Sequence, residues 1–387
     1  MKLLHTSDWH LGRYFHQHSL LSDQAYVLEQ IITTATTEAV DAVIIAGDIY
    51  DRSLPPADAV RLLDETLHRL ISEHGIPVIM ISGNHDGPER LGFGARQLRD
   101  AGLTIVSSFD AMRVPVVLED EHGKVAIWCM PYNDPAHVAD FFTERIKDYQ
   151  TAHERLVQDI EEQQQALGLQ NARHVLVSHC YLDGATESES ERPLSIGGAD
   201  RVDAAAFRNF DYVALGHLHQ PQYKGEEWIR YSGSILKYSF SEHQQNKSVT
   251  LVELGKQGFA GVTLVPLKAK RNVRIIKGSF NELLAAGTTD NAADDYILAE
   301  MTDTEVVLDA FARLRQVYPN LMDLTKTRFQ SAERAEVMSA QKHLQRTEID
   351  MLTDFYKQVT GTDLSAAQLE IAAEVIASVQ QQVENEQ

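Results

Sequence analysis

Short apolar runs recur along the first part of the chain, and each one ends at a polar residue. The five runs lie at residues 2–6, 41–46, 76–81, 174–177 and 212–215. They are rich in Val and Ile, which is typical of strands that are buried on both faces. Between the first three runs, apolar residues recur at helical spacing, as in Val27, Ile31 and Ala35. Strands that alternate with amphipathic helices predict an α/β fold built around a layered sheet.

The character of the chain changes near residue 268. A basic segment is followed by strand-like patterns at 274–276 and 296–299 and a helical pattern at 305–317, which together predict a small α+β domain. Further on, two apolar stripes are separated by Gly361, and these predict a helical hairpin. We therefore predict four segments: a large domain at 1–267, a small α+β domain at 268–332, a connector at 333–346 and a helical hairpin at 347–387.

Composition and charge narrow the possible classes of protein. The chain has 387 residues, of which 43% are hydrophobic and 24% charged, as is ordinary for a globular protein. No apolar run approaches the ~18–20 residues of a membrane span, so we expect no membrane association. The 35 basic and 56 acidic residues give a net charge of −21, which argues against broad electrostatic adhesion to nucleic acid. Two cysteines and no secretory signal predict a reducing, cytoplasmic location.

Each of the five apolar runs ends at a side chain that can bind a metal ion. The candidate ligands, in chain order, are Asp8, His10, Asp48, Asn84, His179, His217 and His219, with His85 directly after Asn84. A single histidine after a strand is more often structural than a ligand. In doubly wound sheets, however, ligands bind outside the carboxyl ends of the strands. Five such segments in order therefore predict that these side chains meet in one crevice.

The types of donor favour particular metals and two ions. Imidazole, carboxylate and amide donors suit Mn, Fe or Zn better than a thiolate site would. The donors exceed one coordination shell, and two ions roughly 3.5–4 Å apart with a bridging carboxylate account for them better. Asp48 is the predicted bridge because it is the lone acidic donor in the middle of the set. Asp51 and Asp86 have two open roles: each either holds a ligand histidine or caps a helix.

The motifs at these strand ends resemble those of a known family. Asp8-Trp9-His10, Gly47 to Asp51, Gly83 to Asp86, His179 and Gly216 to His219 are similar to the five motifs of the calcineurin-like metallophosphoesterases. The opening at 5–12 resembles that of the SbcD-type nuclease subunits of bacterial SbcCD complexes. Further similar motifs lie at 183–185, 188–192, 197–198, 231–234, 239–242 and 247–248. The chain departs from the family at Ile235, where Pro is usual. At Asp51, archaeal and eukaryotic relatives have His, which points to the bacterial branch.

The resemblance implies a fold, a metal site and a reaction. The fold would be a layered α-β-β-α core with a small α+β capping domain and a C-terminal helical hairpin. One ion would be held by Asp8, His10, Asp48 and His219, and the other by Asp48, Asn84, His179 and His217. Mn²⁺ is the expected ion, with Fe also compatible, and the pair would activate a water molecule to attack a DNA phosphodiester. The ions would also offset charge on the phosphoryl oxygens. We expect His85 to stabilise the transition state or to protonate the leaving oxygen.

The resemblance also implies partners. The family works with an SbcC-type ATPase, so ATP would not be bound by this chain, and the hairpin at 347–387 would dock on the ATPase. A homodimer is expected through the helices after the second and third motifs, where Val60, Leu63, Leu67 and Leu70 form an apolar stripe. DNA phosphates would be gripped by Arg13 and by the basic run Lys268, Lys270, Arg271, Arg274 and Lys277.

Several alternatives stay open at this point. The apolar stripe can face its own sheet, the basic run can be a solvated strand edge, and the hairpin can fold onto its own core. The leading functional hypothesis is a DNA nuclease, acting as an exonuclease on duplex ends and as an endonuclease on single strands and hairpins. Its alternative is a stand-alone enzyme that cleaves small phosphodiesters such as cyclic nucleotides. A scaffold with a vestigial site is disfavoured because no ligand position is missing.

Overall fold

The fold was analysed in a computed structural model. It describes residues 1–191, 200–303 and 305–326, together with residues 353, 368, 369, 371 and 372. The predicted connector and hairpin, the end of the predicted small domain, and the motif residues Arg192, Gly197 and Gly198 lie outside these ranges, apart from those five single residues. The chain divides into two compact units, one of residues 1–276, 284–299 and 309–323 and one of residues 277–283, 300–308 and 324–387.

Two six-stranded sheets form the centre of the first unit. The first sheet has the strand order Gly258–Pro266, Ser248–Gly255, Lys2–Thr6, Ala42–Ile45, Val78–Ile81 and Leu103–Val106. Its last four strands are parallel, and its first three pair in antiparallel fashion. The second sheet has the order Gln222–Lys224, Glu226–Tyr231, Tyr212–Gly216, Arg173–His179, Gly123–Met130 and Val116–Asp120. Its four central strands are parallel.

Alternate residues of the first sheet enter two different cores. Leu3, Ile44 and Ile79 pack in one cluster with residues of the second sheet, whereas Leu4 and Val43 pack in the other with the first helix. This alternation follows from the two-residue period of a strand and explains why the runs read as continuously apolar. The predicted layered α/β core is therefore confirmed.

Helices cover the outer face of each sheet. The longer ones are Leu21–Thr37, Ala57–His68 with a π-helical turn at Arg69–Glu73, Pro135–Phe142 and Tyr149–Ala166. Short helices span Pro88–Leu91, Ala95–Leu98 and Phe109–Met112, and 3₁₀ turns span Arg99–Ala101, Ala204–Phe207 and Phe240–Glu242. Two-residue strands pair Tyr14–Phe15 with His18–Ser19 and Tyr181–Leu182 with Arg201–Val202. None of the described helices is long and apolar enough to cross a membrane.

The burial of side chains along the second helix shows which way most of its apolar stripe faces. Leu63 and Leu70 are buried in the core beneath the first sheet, and Leu67 packs against them. Val60, by contrast, is 43% exposed. Most of the stripe therefore faces its own sheet, which was the simpler of the two alternatives.

The end of the described chain differs from expectation in two places. Val273–Gly278, Tyr296–Met301 and Leu321–Lys326 are hydrogen-bonded in that order, and the last of these strands was not predicted. The helix expected over 305–317 is confined to Ala310–Leu314. Val306 and Leu308 are about four-fifths exposed, at 81% and 79%, so the expected apolar stripe is not buried there. The helix Phe280–Gly287 follows the first of these strands along the chain and precedes the second.

Candidate metal centre

The carboxyl ends of parallel strands from both sheets meet at one crevice. Asp8 and His10 follow the strand Lys2–Thr6, Asp48 follows Ala42–Ile45, and Asn84 and His85 follow Val78–Ile81. His179 ends the strand Arg173–His179 of the second sheet, and His217 and His219 follow Tyr212–Gly216. All seven predicted ligands are brought together, because the strands that carry them run in the same direction and end at the same edge.

The donor atoms fall into two groups. In the first, single donor atoms of Asp8, His10 and His219 lie within 4.8 Å of one another, and His10 Nε2 is 3.1 Å from His219 Nε2. In the second, the same holds for Asp48, His179 and His217. The Oδ1 atom of Asn84 joins this second group, at 3.0 Å from His179 Nε2 and 3.2 Å from His217 Nδ1.

One carboxylate oxygen faces both groups. Asp48 Oδ2 is 3.6 Å from His10 Nε2 and 3.4 Å from His179 Nε2. Ligands at right angles on one ion, each about 2.1 Å from it, lie about 3 Å apart. The spacing and chemistry of the donors therefore fit two divalent ions, with Asp48 positioned to bridge them.

The backbone of the ligands is held in an uncommon conformation. Asp8, His10, Asp48 and His217 have positive φ angles of 52°, 44°, 50° and 105°. Such a conformation costs about 1–3 kcal/mol at a non-glycine residue, and it persists only where the surrounding structure imposes it. Here the surroundings include two backbone hydrogen bonds, from Asp8 N to Gly47 O and from His10 N to Asp48 O.

Asp86 supports the loop that carries Asp48. Its carboxylate accepts hydrogen bonds from the backbone N–H groups of Ile49, Tyr50 and Gly83, at 3.1, 2.9 and 2.9 Å. The N-cap of the next helix is Gly87, so Asp86 caps no helix there. Its hydrogen-bond donors are backbone groups, so it does not hold a ligand histidine either. Its described contacts are instead with the backbone on both sides of the crevice, and two of them are distant in sequence.

Two glycines are required here for lack of space. A Cβ atom on Gly83 would lie 2.1 Å from Asp48 Oδ1 and 2.3 Å from the backbone nitrogen of Asp48. A Cβ on Gly216 would lie 1.9 Å from the carbonyl oxygen of Ala46. These glycines allow close approach between the loops that follow neighbouring strands.

Burial and charge perturb the titration of the ligands. Burial raises the pKa of Asp8 to about 6 and lowers the pKa of His217 to about 3. Burial alone would lower the pKa of His179, but the carboxylates of Asp48 and Asp8 outweigh it and raise that pKa to about 9. Burial acts to raise the pKa of Asp48, yet the neighbouring histidines hold it well below its usual range. Protons and divalent cations therefore compete for the same buried donors.

His85 lies at the edge of the crevice. Its backbone N–H donates to Asp48 Oδ1 at 2.9 Å, and its Nδ1 donates to the carbonyl oxygen of Asp51 at 2.9 Å. Since Nδ1 is engaged with a carbonyl, Nε2 is the nitrogen that can serve a substrate. His85 also lines a cavity of about 460 Å³ whose other lining residues are Arg13, Tyr14, Asp51, Arg52, Ser53 and Asn84.

Asp51 and Arg13 lie beside the first group of donors. Asp51 Oδ1 is 3.7 Å from His10 Nδ1, too far for a hydrogen bond, and 3.3 Å from the Arg13 guanidinium. Arg13 also donates to the carbonyl of Ser190 at 3.1 Å and lies over the ring of Tyr238. Arg13 is therefore placed where it can interact with the negative charge of a phosphate at the crevice.

Most of the basic run is paired with acidic side chains. Arg271 donates to Asp23 at 3.0 Å, Arg274 pairs with Asp290 and Asp295 at 2.7 Å each, and Lys277 is 3.5 Å from Glu300. No described residue forms an ion pair with Lys268 or Lys270. Binding of DNA phosphates by this run stays a prediction, and the structure favours these two lysines for it.

The sequence analysis missed the side chains behind His219. The Nδ1 atom of His219 is 2.6 Å from Ser190 Oγ, and Ser190 in turn contacts Glu242, which pairs with Lys247. The signal lay in the motifs at 188–192, 239–242 and 247–248, to which no role was attached. By comparison, Nδ1 of His179 donates to a backbone carbonyl, that of Ala46, at 2.9 Å.

Comparison with known proteins identifies the family of this chain. The profile of the calcineurin-like phosphoesterase family matches residues 1–221, and that of the type 5 capsule protein repressor C-terminal domain matches residues 269–360. The SbcD subunit of the nuclease SbcCD from Staphylococcus epidermidis is 35% identical over 95% of this chain and 96% of its own. Its namesake from Staphylococcus saprophyticus is 36% identical over the same shares of both chains. A solved dimetal phosphatase from Danio rerio is 12% identical over 69% of this chain and 99% of its own, with a TM-score of 0.40.

The chain therefore belongs to the calcineurin-like phosphoesterase family and, within it, to the SbcD subunits of SbcCD nucleases.

Substitution of Gly83 by Ala tests the close approach to Asp48. The added Cβ meets backbone atoms of Asp48 that cannot move aside, so the carboxylate should be displaced from both donor groups. We expect Mn²⁺ affinity to fall by about tenfold or more, as is common for changes beside metal ligands. Elemental analysis after dialysis against Mn²⁺ measures the bound metal. Gly261→Ala is the matched control, because a Cβ there meets no described atom within 4 Å; equal metal binding by the two variants would contradict the prediction.

Substitution of Arg271 by Ala separates a structural from a DNA-binding role. Asp23 is buried and would keep only the hydroxyl of Tyr296, at 3.1 Å, as a described side-chain partner from beyond its own helix. Because Arg271 is itself partly exposed, we expect the free energy of unfolding to fall by about 1–3 kcal/mol, measured by urea denaturation, with DNA affinity unchanged. Lys270→Ala should leave stability unaltered. An Arg271→Ala protein of normal stability but weakened DNA binding would favour the phosphate-gripping role instead.

Proposed function

We propose that this chain is the nuclease subunit of an SbcCD-type complex and that it hydrolyses DNA phosphodiester bonds at the metal centre. It would act as an exonuclease on double strands and as an endonuclease on single strands and hairpins. The observation that carries the proposal is the convergence of six candidate ligand side chains with Asp48 in one crevice. The curated relatives with the nuclease name are similar along nearly the whole chain, which favours this function over the stand-alone cleavage of small phosphodiesters.

The donor set suits Mn, Fe or Zn, because it combines imidazole with oxygen donors and the described residues add no thiolate to it. Among these, the family favours Mn²⁺, with Fe as the other compatible ion. Cys129 and Cys180 are both buried in the core, apart from the centre. When bound, two such ions supply a water molecule of lowered pKa as nucleophile and offset charge on the phosphoryl oxygens. Asp8, His10, Asp48 and His219 would hold one ion, and Asp48, Asn84, His179 and His217 the other.

The residues around the cavity orient the substrate. Arg13 and Arg52 present guanidinium groups at its rim, where they can bind the phosphates that flank the scissile bond. Tyr14 is 56% exposed at the same rim and offers a ring for a base to stack on. His85, held by the carbonyl of Asp51, points its other nitrogen to hydrogen-bond a phosphoryl oxygen or to protonate the leaving sugar oxygen. Lys268 and Lys270 would bind further phosphates of the DNA strand.

The proposed partners are an SbcC-type ATPase and a second copy of this chain, in the cytoplasm. ATP would be bound by the ATPase, and residues 347–387 would dock on it. For the homodimer, the supporting observation is exposed apolar side chains after the second and third motifs: Val60, Phe93 and Leu98 are 43%, 86% and 38% exposed. A molar mass in solution twice that of the 43.4 kDa chain would support the dimer, and a single mass would oppose it.

Replacement of His85 by Ala tests the proposed catalytic role. The backbone N–H of residue 85 still donates to Asp48, so both ions should stay bound. Turnover of hairpin DNA should fall by about 10²–10⁴-fold, the usual contribution of a positioned acid or base. His68→Ala, at an exposed position, is the matched control. Loss of metal from the His85→Ala protein would show that the proposed catalytic role is wrong. A separate outcome concerns the function itself: a wild-type protein that cleaves a small aryl phosphodiester but not hairpin DNA would favour the alternative function.

Truncation tests the proposed docking segment. A chain that ends at Arg346 should no longer co-purify with the SbcC-type ATPase, because the apolar stripes predicted at 347–387 are missing. It should still hydrolyse an aryl phosphodiester in the presence of Mn²⁺, since every proposed ligand is retained. Co-purification of the truncated chain would move the docking surface elsewhere.

A further inference from the structure

A row of buried polar side chains extends inward from His219. Ser190 is 9% exposed, Glu242 is fully buried and Lys247 is 6% exposed. The imidazole Nδ1 of His219 is 2.6 Å from Ser190 Oγ, the Ser190 hydroxyl contacts Glu242 Oε1, and Lys247 Nζ is 2.5 Å from Glu242 Oε2. Four side chains thus form one continuous hydrogen-bonded chain from the metal centre into the core.

The donors and acceptors among these four side chains can be assigned in only one way. Glu242 receives the ammonium of Lys247, the backbone N–H of Tyr238 at 3.1 Å and the hydroxyl of Ser239 at 3.2 Å, so it acts as an acceptor. The Ser190 hydroxyl must therefore donate to Glu242, and its oxygen is left to accept. His219 Nδ1 must then carry the proton and donate to Ser190. This leaves a lone pair on Nε2, the nitrogen that lies 3.1 Å from His10 Nε2.

The backbone of His219 is fixed by the same group of residues. Lys247 Nζ donates to the His219 carbonyl at 2.7 Å, and the His219 N–H donates to Glu191 Oε1 at 2.7 Å. Lys247 also donates to Ser234 Oγ at 2.9 Å. Both the ring and the main chain of His219 are thereby held, and its orientation is set before any ion arrives.

A buried ion pair of this kind is rarely the most stable solution for a core. Taking two charges out of water is expensive, and an apolar pair of similar volume is often equally or more stable. His179 shows that a ligand histidine can be oriented more simply, through a backbone carbonyl. Stability alone therefore does not explain the Glu242–Lys247 pair. Its connection to His219 through the Ser190 hydroxyl offers an explanation.

We propose that Ser190, Glu242 and Lys247 form a positioning relay that fixes the ring of His219 so that Nε2 faces the ion shared with Asp8 and His10. The inference rests on the proposed function only insofar as that function requires the two-ion centre. The relay acts on one of the two ions. The second donor group, with Asn84, His179 and His217, has its own supports and is untouched by the relay.

The test is a Mn²⁺ titration of the full-length, metal-free protein, with free Mn²⁺ counted by its electron paramagnetic resonance signal. The wild type should bind two equivalents. Ser190→Ala removes the acceptor for Nδ1, and one of the two affinities should fall by about 10–100-fold while the other is retained. Ser190→Thr keeps the hydroxyl and should restore the wild-type curve, which a purely structural role would not require.

Two further variants complete the experiment. Ser248→Ala is the matched control, because the hydroxyl of Ser248 is buried and has no hydrogen-bond partner among the described residues; both affinities should stay unchanged. In an Asn84→Ala background, which removes a ligand from the other group, Ser190→Ala should still weaken the remaining tight site by the same factor. This places the effect on the ion held by Asp8, His10 and His219.

Three outcomes would overturn the relay: unchanged binding by Ser190→Ala, equal weakening of both ions, or failure of Ser190→Thr to restore affinity. A wild-type protein that binds fewer than two equivalents would instead contradict the two-ion centre, and the relay with it. Because the readout is metal binding, failure of the protein to cleave DNA would count against the proposed function alone.

Discussion

The carboxylate of Asp48 is the contact on which the arrangement of the centre depends. It lies between histidines that come from different sheets, and it carries the charge that balances them. Two neighbouring residues position this carboxylate. Asp86 accepts hydrogen bonds from the backbone that follows Asp48, and Gly83 has no Cβ atom that would collide with it. A buried carboxylate among imidazoles is tolerable only when cations or protons share it, so the crevice is by construction a place for positive charge.

That local requirement explains how an acidic chain can act on a polyanion. The net charge of −21 repels DNA at a distance, and three members of the basic run are neutralised by partners within the fold. Under the proposed function, attraction would be concentrated at the cavity, where Arg13 and Arg52 lie beside the candidate ligand Asn84.

Features that follow from local sequence pattern could be predicted, whereas contacts between residues distant in the sequence could not. The strands and the ligands at their ends could be predicted because both follow from local pattern: an apolar run, then a turn, then a donor. The partners of those residues could not. Arg271 is separated from Asp23 by 248 positions, and Ser190 from Glu242 by 52, so no periodicity links them. The contacts of Asp86 could not be predicted for the same reason, since they involve backbone 36 and 37 positions away. The helix over 305–317 was overestimated because amphipathic spacing does not reveal whether a surface exists to cover it.

The left-handed backbone at Asp8, His10, Asp48 and His217 has a consequence for the living cell. At about 1–3 kcal/mol each, these four positions together carry a conformational cost of several kcal/mol. That is a substantial share of the about 5–15 kcal/mol by which a typical domain is stable. Ions that bind the folded chain and not the unfolded one shift the balance back in favour of the native state. A shortage of the divalent metal would thus have a second effect besides loss of catalytic activity. It would also enlarge the unfolded fraction on which proteases act, and the level of the protein would decline along with its activity.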